Sequence, residues 1–150
     1  TVSSIASVEI DPPTLVFSAS SRSSSTPTIR RAETVVVHLL TSHEVDLAKL
    51  GARSGIDRFG ADVEWARLST GEPYYPGAGT WLRGRIVERV EVHGSTLVIV
   101  EAIEAGPVAD AAASDPRPLV YHNRNWFVLG EKSMLPATTV PLFTVYGRDE

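Results

Sequence analysis

The stretch WLRGRIVERVEVHGSTLVIVEAI, residues 81–103, decides the fold. It sets a β-branched segment, residues 81–92, ahead of the pair His93 and Gly94, with a nearly continuous apolar segment, 95–103, behind. Leu82, Ile86 and Val90 also fit helical spacing, but Gly84 in the middle and the density of Val and Ile favour extended chain. Gly94 is expected to supply the positive φ of a two-residue turn, so the two segments read as one long antiparallel hairpin.

Further strands flank this hairpin. Residues 1–9 alternate well enough for one, which Asp11, Pro12 and Pro13 stop, because proline cannot donate to a ladder. Residues 14–19 and the β-branched run 34–40 read as two more, and 119–122 with 126–129 as a closing hairpin about residues 123–125. Helix signals are few. Thr41 and Glu44 stand three apart ahead of Val45, Leu47 and Leu50, a capping box opening an amphipathic helix of about three turns that Gly51 closes. Residues 54–77 and 106–118 are loop-rich. Alternating segments at this spacing predict a mainly β chain closed into a small barrel, with a few short helices. The apolar residues Leu135, Val140, Leu142, Phe143, Val145 and Tyr146 imply that the tail, residues 131–150, packs on the barrel or on a partner subunit.

The composition suits a single core: 150 residues, 43% apolar, with a mean hydropathy near zero. Fourteen Lys and Arg against 18 Asp and Glu leave a net charge of -4, so no global basic field exists to hold nucleic acid or an anionic membrane. The absence of cysteine removes disulfides, thiolate nucleophiles and Cys-ligated zinc, and it fits a reducing compartment; the expected location is the cytoplasm. No apolar run approaches the roughly 18 residues of a membrane helix.

Acyl transfer and familiar nucleotide loops are also absent. Gly51, Ala52, Arg53, Ser54 and Gly55 place the serine one position too late for a nucleophile elbow. Neither a phosphate loop ending in Gly-Lys-Ser/Thr nor Gly-x-Gly-x-x-Gly occurs, and His38, His43, His93 and His122 have no metal-ligand spacing. Trp65, Trp81 and Trp126 read as core or interface anchors. Arg83, Arg85 and Arg89 read as the solvated face of a long strand, paired with Glu88 or Glu91.

Serine is skewed instead: ten lie in the first fifty residues and five in the remaining hundred. Ser20, Ser21, Arg22, Ser23, Ser24, Ser25 and Thr26 precede Pro27, which reads as a hydroxyl-rich helix start. Unpaired N–H groups at such a start, together with Arg22 and the hydroxyls, make a plausible anion pocket. A solvated serine loop would look the same by composition alone. Hydroxyls at Thr1, Ser3, Ser4, Ser7, Ser18 and Ser20, on two neighbouring strands, suggest a polar ligand lying along them.

Together these residues resemble a known family. Thr1-Val2-Ser3-Ser4-Ile5-Ala6-Ser7, then Asp11-Pro12-Pro13, the Ser-rich segment from Arg22 to Thr26, a Val-rich strand and finally Tyr121-His122-Asn123-Arg124 resemble the flavin reductase family, with its FMN-binding split barrel of Greek-key type. The resemblance covers residues 1–130 and implies that the family's first helix and strand lie before Thr1. It implies a homodimer with FMN near the interface, FAD as another flavin, NAD(P)H as co-substrate, and a partner monooxygenase supplied with reduced flavin. By position it assigns Thr1, Ser3, Ser4 and Ile5 to the polar edge of the isoalloxazine and Ser18 and Ser20 to the ribityl chain. Arg22, Ser23, Ser24, Ser25 and Thr26 fall to the phosphate, His38, Leu39 and Leu40 to the strand flanking the ring, and His122 to the motif that closes the site, as the catalytic candidate. The sequence departs from the pattern at His38, where many members carry Asn. It departs again at the nicotinamide turn, where Gly-Asp-His-Thr becomes His93, Gly94, Ser95 and Thr96, leaving Ser95 and Thr96 as the residues offered to the donor. The function implied is hydride transfer from NAD(P)H to flavin. A deazaflavin donor, or a flavin carrier or sensor without turnover, are the alternatives.

Overall fold

A computed structural model describes residues 1–2, 5–106 and 117–134. Its centre is the expected hairpin. β6 (Trp81–Val92) and β7 (Ser95–Ala105) pair along their length, and the sheet continues with β2 (Pro13–Ser20) and β1 (Ile5–Ile10) on one side and β3 (Thr34–His38) on the other. The order is β1-β2-β7-β6-β3, with every neighbouring pair antiparallel. The chain is thus mainly β, with α1 (Thr26–Ile29) and α2 (Val45–Ala52) as its short helices. The remaining strands form two small ribbons, β4 (Ala66–Arg67) with β5 (Pro73–Tyr74) and β8 (Leu119–His122) with β9 (Asn125–Val128).

Closure differs from expectation. Among the described residues the five-stranded sheet is open, with β1 and β3 as its edges, because β8 and β9 pair only with each other and meet the rest through a Thr41–Pro118 bridge. Pro13 does not stop a strand but begins β2, opposite Ile10, a first position where its missing N–H breaks no ladder. The β6–β7 turn also differs, since the positive φ (48°) is carried by His93 and not by Gly94.

The core lies on one face of the sheet. Phe17, Ala19, Ile86, Val98 and Val100 are buried there, and Leu15, Ile29, Ala32, Val35 and Val37 pack against them. Fully burying each of the central valines contributes about 1.5–3 kcal/mol. Gly84 is required by this packing, because a Cβ there would stand 2.2 Å from Val100 Cγ1 and 2.9 Å from the Glu101 carbonyl oxygen.

The capping box forms as read. Glu44 Oε2 accepts from the Thr41 N–H at 2.6 Å, while Thr41 Oγ1 accepts from the His43 N–H at 3.3 Å, and a 3-10 turn (Ser42–Glu44) leads into α2. Gly51 does not end the helix, whose C-cap is Arg53. It admits Thr1 instead: Thr1 Oγ1 donates to the Ala48 carbonyl at 2.7 Å, and a Cβ on Gly51 would come within 2.6 Å of Thr1 Oγ1.

The arginines of β6 are not one solvated face. Arg83 pairs with Glu72 at 2.7 Å, with side chains only 16% and 12% exposed, and Arg85 pairs with Glu101 at 2.8 Å. The Arg89 guanidinium reaches the Ala32 carbonyl. The loop carrying β4 and β5 returns over the sheet, which places Glu72 beside Arg83; spacing along β6 alone does not reveal this. The tail prediction covers residues 131–150; 131–134 are described, as an exposed 3-10 turn (Glu131–Ser133) and Met134, and the apolar residues it rests on, from Leu135 onward, lie outside the described residues.

Candidate functional site

The loop between β2 and α1 carries the hydroxyl run, and its own hydrogen bonds determine what it offers a ligand. Ser20 Oγ accepts from the Arg22 N–H at 3.3 Å, Ser23 Oγ from the Ser25 N–H at 3.4 Å, and Ser25 Oγ from Nη1 of Arg58 at 3.4 Å. A hydroxyl holds one donor proton. None of these three donates it to an acceptor among the described residues, so all three remain available to an incoming anion. The Ser24 N–H and the exposed Arg22 guanidinium also have no partner among the described residues. Thr26 differs, being 2% exposed with its hydroxyl donating to the Ser20 carbonyl at 2.6 Å, and acts as the loop's internal brace.

The helix behind the loop is shorter than its sequence signal. α1 is a single turn, with Pro27 at its start and an N-cap, Ser25, that makes no side-chain cap bond. A macrodipole needs several aligned turns. Affinity for an anion therefore rests on the hydroxyls and guanidinium groups, not on a helix dipole.

Strand alternation puts Ser18 and Ser20 on the sheet face opposite Phe17 and Ala19. Ser18 there lines a shallow groove of ≈ 170 Å³ with Ile5, Ala6, Val16 and Leu97. A second groove, ≈ 310 Å³, lies between Ile5, Glu9, Thr14, Leu15, Leu39 and Leu82. Ile5 lines both, but it stands opposite Phe17 in the β1–β2 register and so faces the core side of the sheet, the side away from Ser18. Of the residues assigned by position to the ring and ribityl chain, the structure brings Ile5 and Leu39 into one groove and leaves Ser18 on the other face. Leu39 is exposed, with its N–H held by the Thr80 carbonyl at 2.9 Å, and Leu40 is half-buried. Ser3 and Ser4 lie outside the described residues.

Other candidates are engaged elsewhere. His38 Nε2 accepts from the Tyr75 N–H at 3.1 Å, its ring 5.4 Å from that of Tyr75, and burial lowers its pKa; Nδ1 is the ring nitrogen left for a ligand. Thr96 is 2% exposed and its hydroxyl donates to Glu91 at 3.0 Å, while Glu91 pairs with Arg30 at 2.6 Å. Ser95 closes the hairpin opposite Ser20 and Val92. The turn before it leans on the serine loop, since the Ser21 N–H donates to the Gly94 carbonyl at 2.9 Å. His122 is exposed on the β8–β9 ribbon, 6.4 Å from the Phe127 ring. That ribbon is docked beside the end of β3 through the Ser42 N–H to Arg117 carbonyl bond of 2.8 Å. Its turn places both Asn123 (φ 48°) and Arg124 (φ 63°) in the left-handed region.

Sequence reading missed three residues that organise this end of the molecule. Arg58 touches the serine loop, Tyr75 holds His38, and Glu72 joins β3, β6 and the intervening loop. Burial would raise the Glu72 pKa, but hydrogen bonds from Thr34, Thr70 and Arg83 outweigh it and hold the carboxyl at about 2.

The comparisons agree with this architecture. The family model of the flavin reductase like domain matches residues 1–130. An NADH:FMN oxidoreductase from Rhodococcus erythropolis is 36% identical over 129 residues, covering 85% of this chain and 66% of that protein. The crystal structure of a flavin reductase domain protein from Arthrobacter sp. FB24 superposes with a TM-score of 0.77 at 29% identity, over 86% of this chain and 77% of that one. The styrene monooxygenase flavin reductase of Pseudomonas putida S12 shares the fold, with a TM-score of 0.70 at 21% identity, over 86% and 79%. The chain belongs to the flavin reductase like domain family. It spans about two thirds, 66%, of the length of the Rhodococcus relative.

Proposed function

We propose that this chain is the flavin-binding domain of an NAD(P)H-dependent FMN reductase. The observation that carries the reading is the serine loop, where Ser20, Ser23 and Ser25 each accept a hydrogen bond from the protein and keep a donor proton for an anion. Such a donor array beside Arg22, whose guanidinium has no partner among the described residues, suits a phosphate monoester, for which charge-assisted bonds are the strong kind.

Bound FMN would supply the hydride-accepting ring system. The chain's own work is binding and orientation. The serine loop with Arg22 fixes the phosphate end, and Ser18 and Ser20 follow the ribityl chain along the open sheet face. Ile5 and Leu39, which share the groove on the core side of β1, give the ring an apolar wall. His122 and the His38 Nδ1 are the titratable groups assigned to the ring's surroundings, with His122 the candidate for closing the site. FAD carries the same ribityl phosphate and would use the same loop. The Rhodococcus relative's name favours NADH as the donor.

A second copy of the chain is the proposed cover for the groove. Every residue of β1 is exposed, with Ile10 at 84% and Val8 at 56%, and Phe127, Val128 and Leu129 expose further apolar surface. The partner of the reduced flavin is proposed to be a monooxygenase, as the name of the Pseudomonas neighbour indicates for that protein. Among the described residues no helix is long and apolar enough to cross a membrane, and a cytoplasmic location is proposed on the cysteine-free composition.

The test is the visible spectrum of the purified protein with FMN, recorded anaerobically before and after NADH, NADPH or a reduced deazaflavin is added. Bleaching of the flavin at enzymatic rates with NADH or NADPH is expected. Bleaching with the deazaflavin alone would move the donor assignment, and bound flavin that no donor reduces would make the chain a carrier.

A further inference from the structure

We propose that Arg58 is a second phosphate-binding residue of the flavin site, reaching the serine loop at Ser25. The inference rests on the FMN reading above and adds a residue from outside the loop.

Arg58 is half-buried, yet it enters no ion pair among the described residues. A cation removed from water without a carboxylate partner is costly. Its guanidinium is held in place by neutral acceptors: Nε donates to the Gly51 carbonyl at 3.3 Å, Nη2 to the Arg53 carbonyl, and Nη1 to Ser25 Oγ at 3.4 Å. An arginine has five N–H donors in a planar fork, so these three bonds leave one donor on each terminal nitrogen. The backbone is equally constrained. Tyr75 Oη donates to the Arg58 carbonyl at 3.0 Å, and the next residue, Phe59, stacks on Tyr75 with ring centroids 5.6 Å apart and planes within 13°.

The contact to Ser25 links the two halves of the site. By donating to Ser25 Oγ, Arg58 leaves that hydroxyl its proton to direct at a ligand oxygen. The same guanidinium then presents its own free N–H groups beside it. An immobilised fork next to aligned hydroxyls is preorganised for phosphate, because its ordering cost is met before the ligand arrives. The phosphate would also supply the negative charge that Arg58 lacks among the described residues.

The experiment compares FMN with riboflavin, which lacks the phosphate, by equilibrium fluorescence titration of the wild-type protein, Arg58→Gln and Arg58→Lys. Losing a hydrogen bond to a charged group lowers affinity by about tenfold or more. Arg58→Gln is therefore expected to weaken FMN by at least about tenfold while riboflavin stays within about twofold. Arg58→Lys, which keeps the charge and loses the fork, is expected to fall between, and it carries the test should the Gln variant not fold. FMN affinity unchanged in the Lys and Gln variants, or FMN and riboflavin weakened equally, would overturn the assignment. A wild-type protein that binds neither flavin would instead remove the FMN reading itself, and the Arg58 proposal with it.

Discussion

Among the described residues Glu72 is the carboxylate most strongly held by the fold, and replacing it by Gln should expose how much the loop over β3 and β6 depends on one charge. Its pKa lies at about 2 against an ordinary 4.5. At about 1.4 kcal/mol per pH unit, that difference corresponds to ~3 kcal/mol of native-state stability at neutral pH. The figure needs little discount for solvent screening, since the side chain is 12% exposed. Because the native pKa is depressed, the stabilisation is complete above the unfolded value near 4.5 and is lost as pH falls through about 2. At pH 3 about half of it remains. The assay is urea unfolding of the wild-type protein and Glu72→Gln across pH 7 to 2.5. The variant should be about 3 kcal/mol less stable at pH 7, Arg83 being left without its counter-charge, and the gap should narrow steadily below pH 4.5. A gap under about 0.5 kcal/mol at pH 7, or one that does not change with pH, would refute the reasoning.

Three further outcomes follow from single contacts. Gly84→Ala should destabilise the chain by about 2 kcal/mol or more, because its Cβ would meet Val100 and the Glu101 carbonyl at the centre of the sheet; thermal unfolding measures it. His38 should titrate below its ordinary 6.5, burial being the cause, so the native state loses stability as pH falls below 6.5; NMR of the imidazole protons reads the midpoint. Ser25→Ala should weaken FMN by about tenfold, as the loss of one hydroxyl donor to a charged oxygen, with near-unchanged riboflavin binding in the same titration.

Local signals in the sequence carried most of the sheet. β6 and its hairpin with β7 were legible because β-branched residues flank His93–Gly94 on both sides, whereas the register shifts at Arg83/Gly84 and Ile86/Glu88 were not. The Thr41–Glu44 capping box was legible because both partners lie within one turn. What escaped depends on distant contacts or on backbone detail. Gly94 looked like the positive-φ residue, yet the turn sets that angle at His93. The Ser–Pro helix signal was real, but α1 spans a single turn, and the chain is back in the sheet by Thr34. Arg83 looked solvated until Glu72 folded onto it, and Arg58 meets Ser25 from 33 residues away. In the site, the serine loop was legible as hydroxyl density. The direction of its hydrogen bonds, which leaves donor protons free, is set only by the folded loop and by Arg58.

A crystal structure of the protein with FMN bound tests the central claim most directly. The phosphate oxygens are expected within about 2.5–3.0 Å of Ser23 and Ser25 Oγ, with the ring against Ile5 and Leu39. A phosphate seated away from residues 20–25, with the serine hydroxyls still facing solvent, would contradict the account.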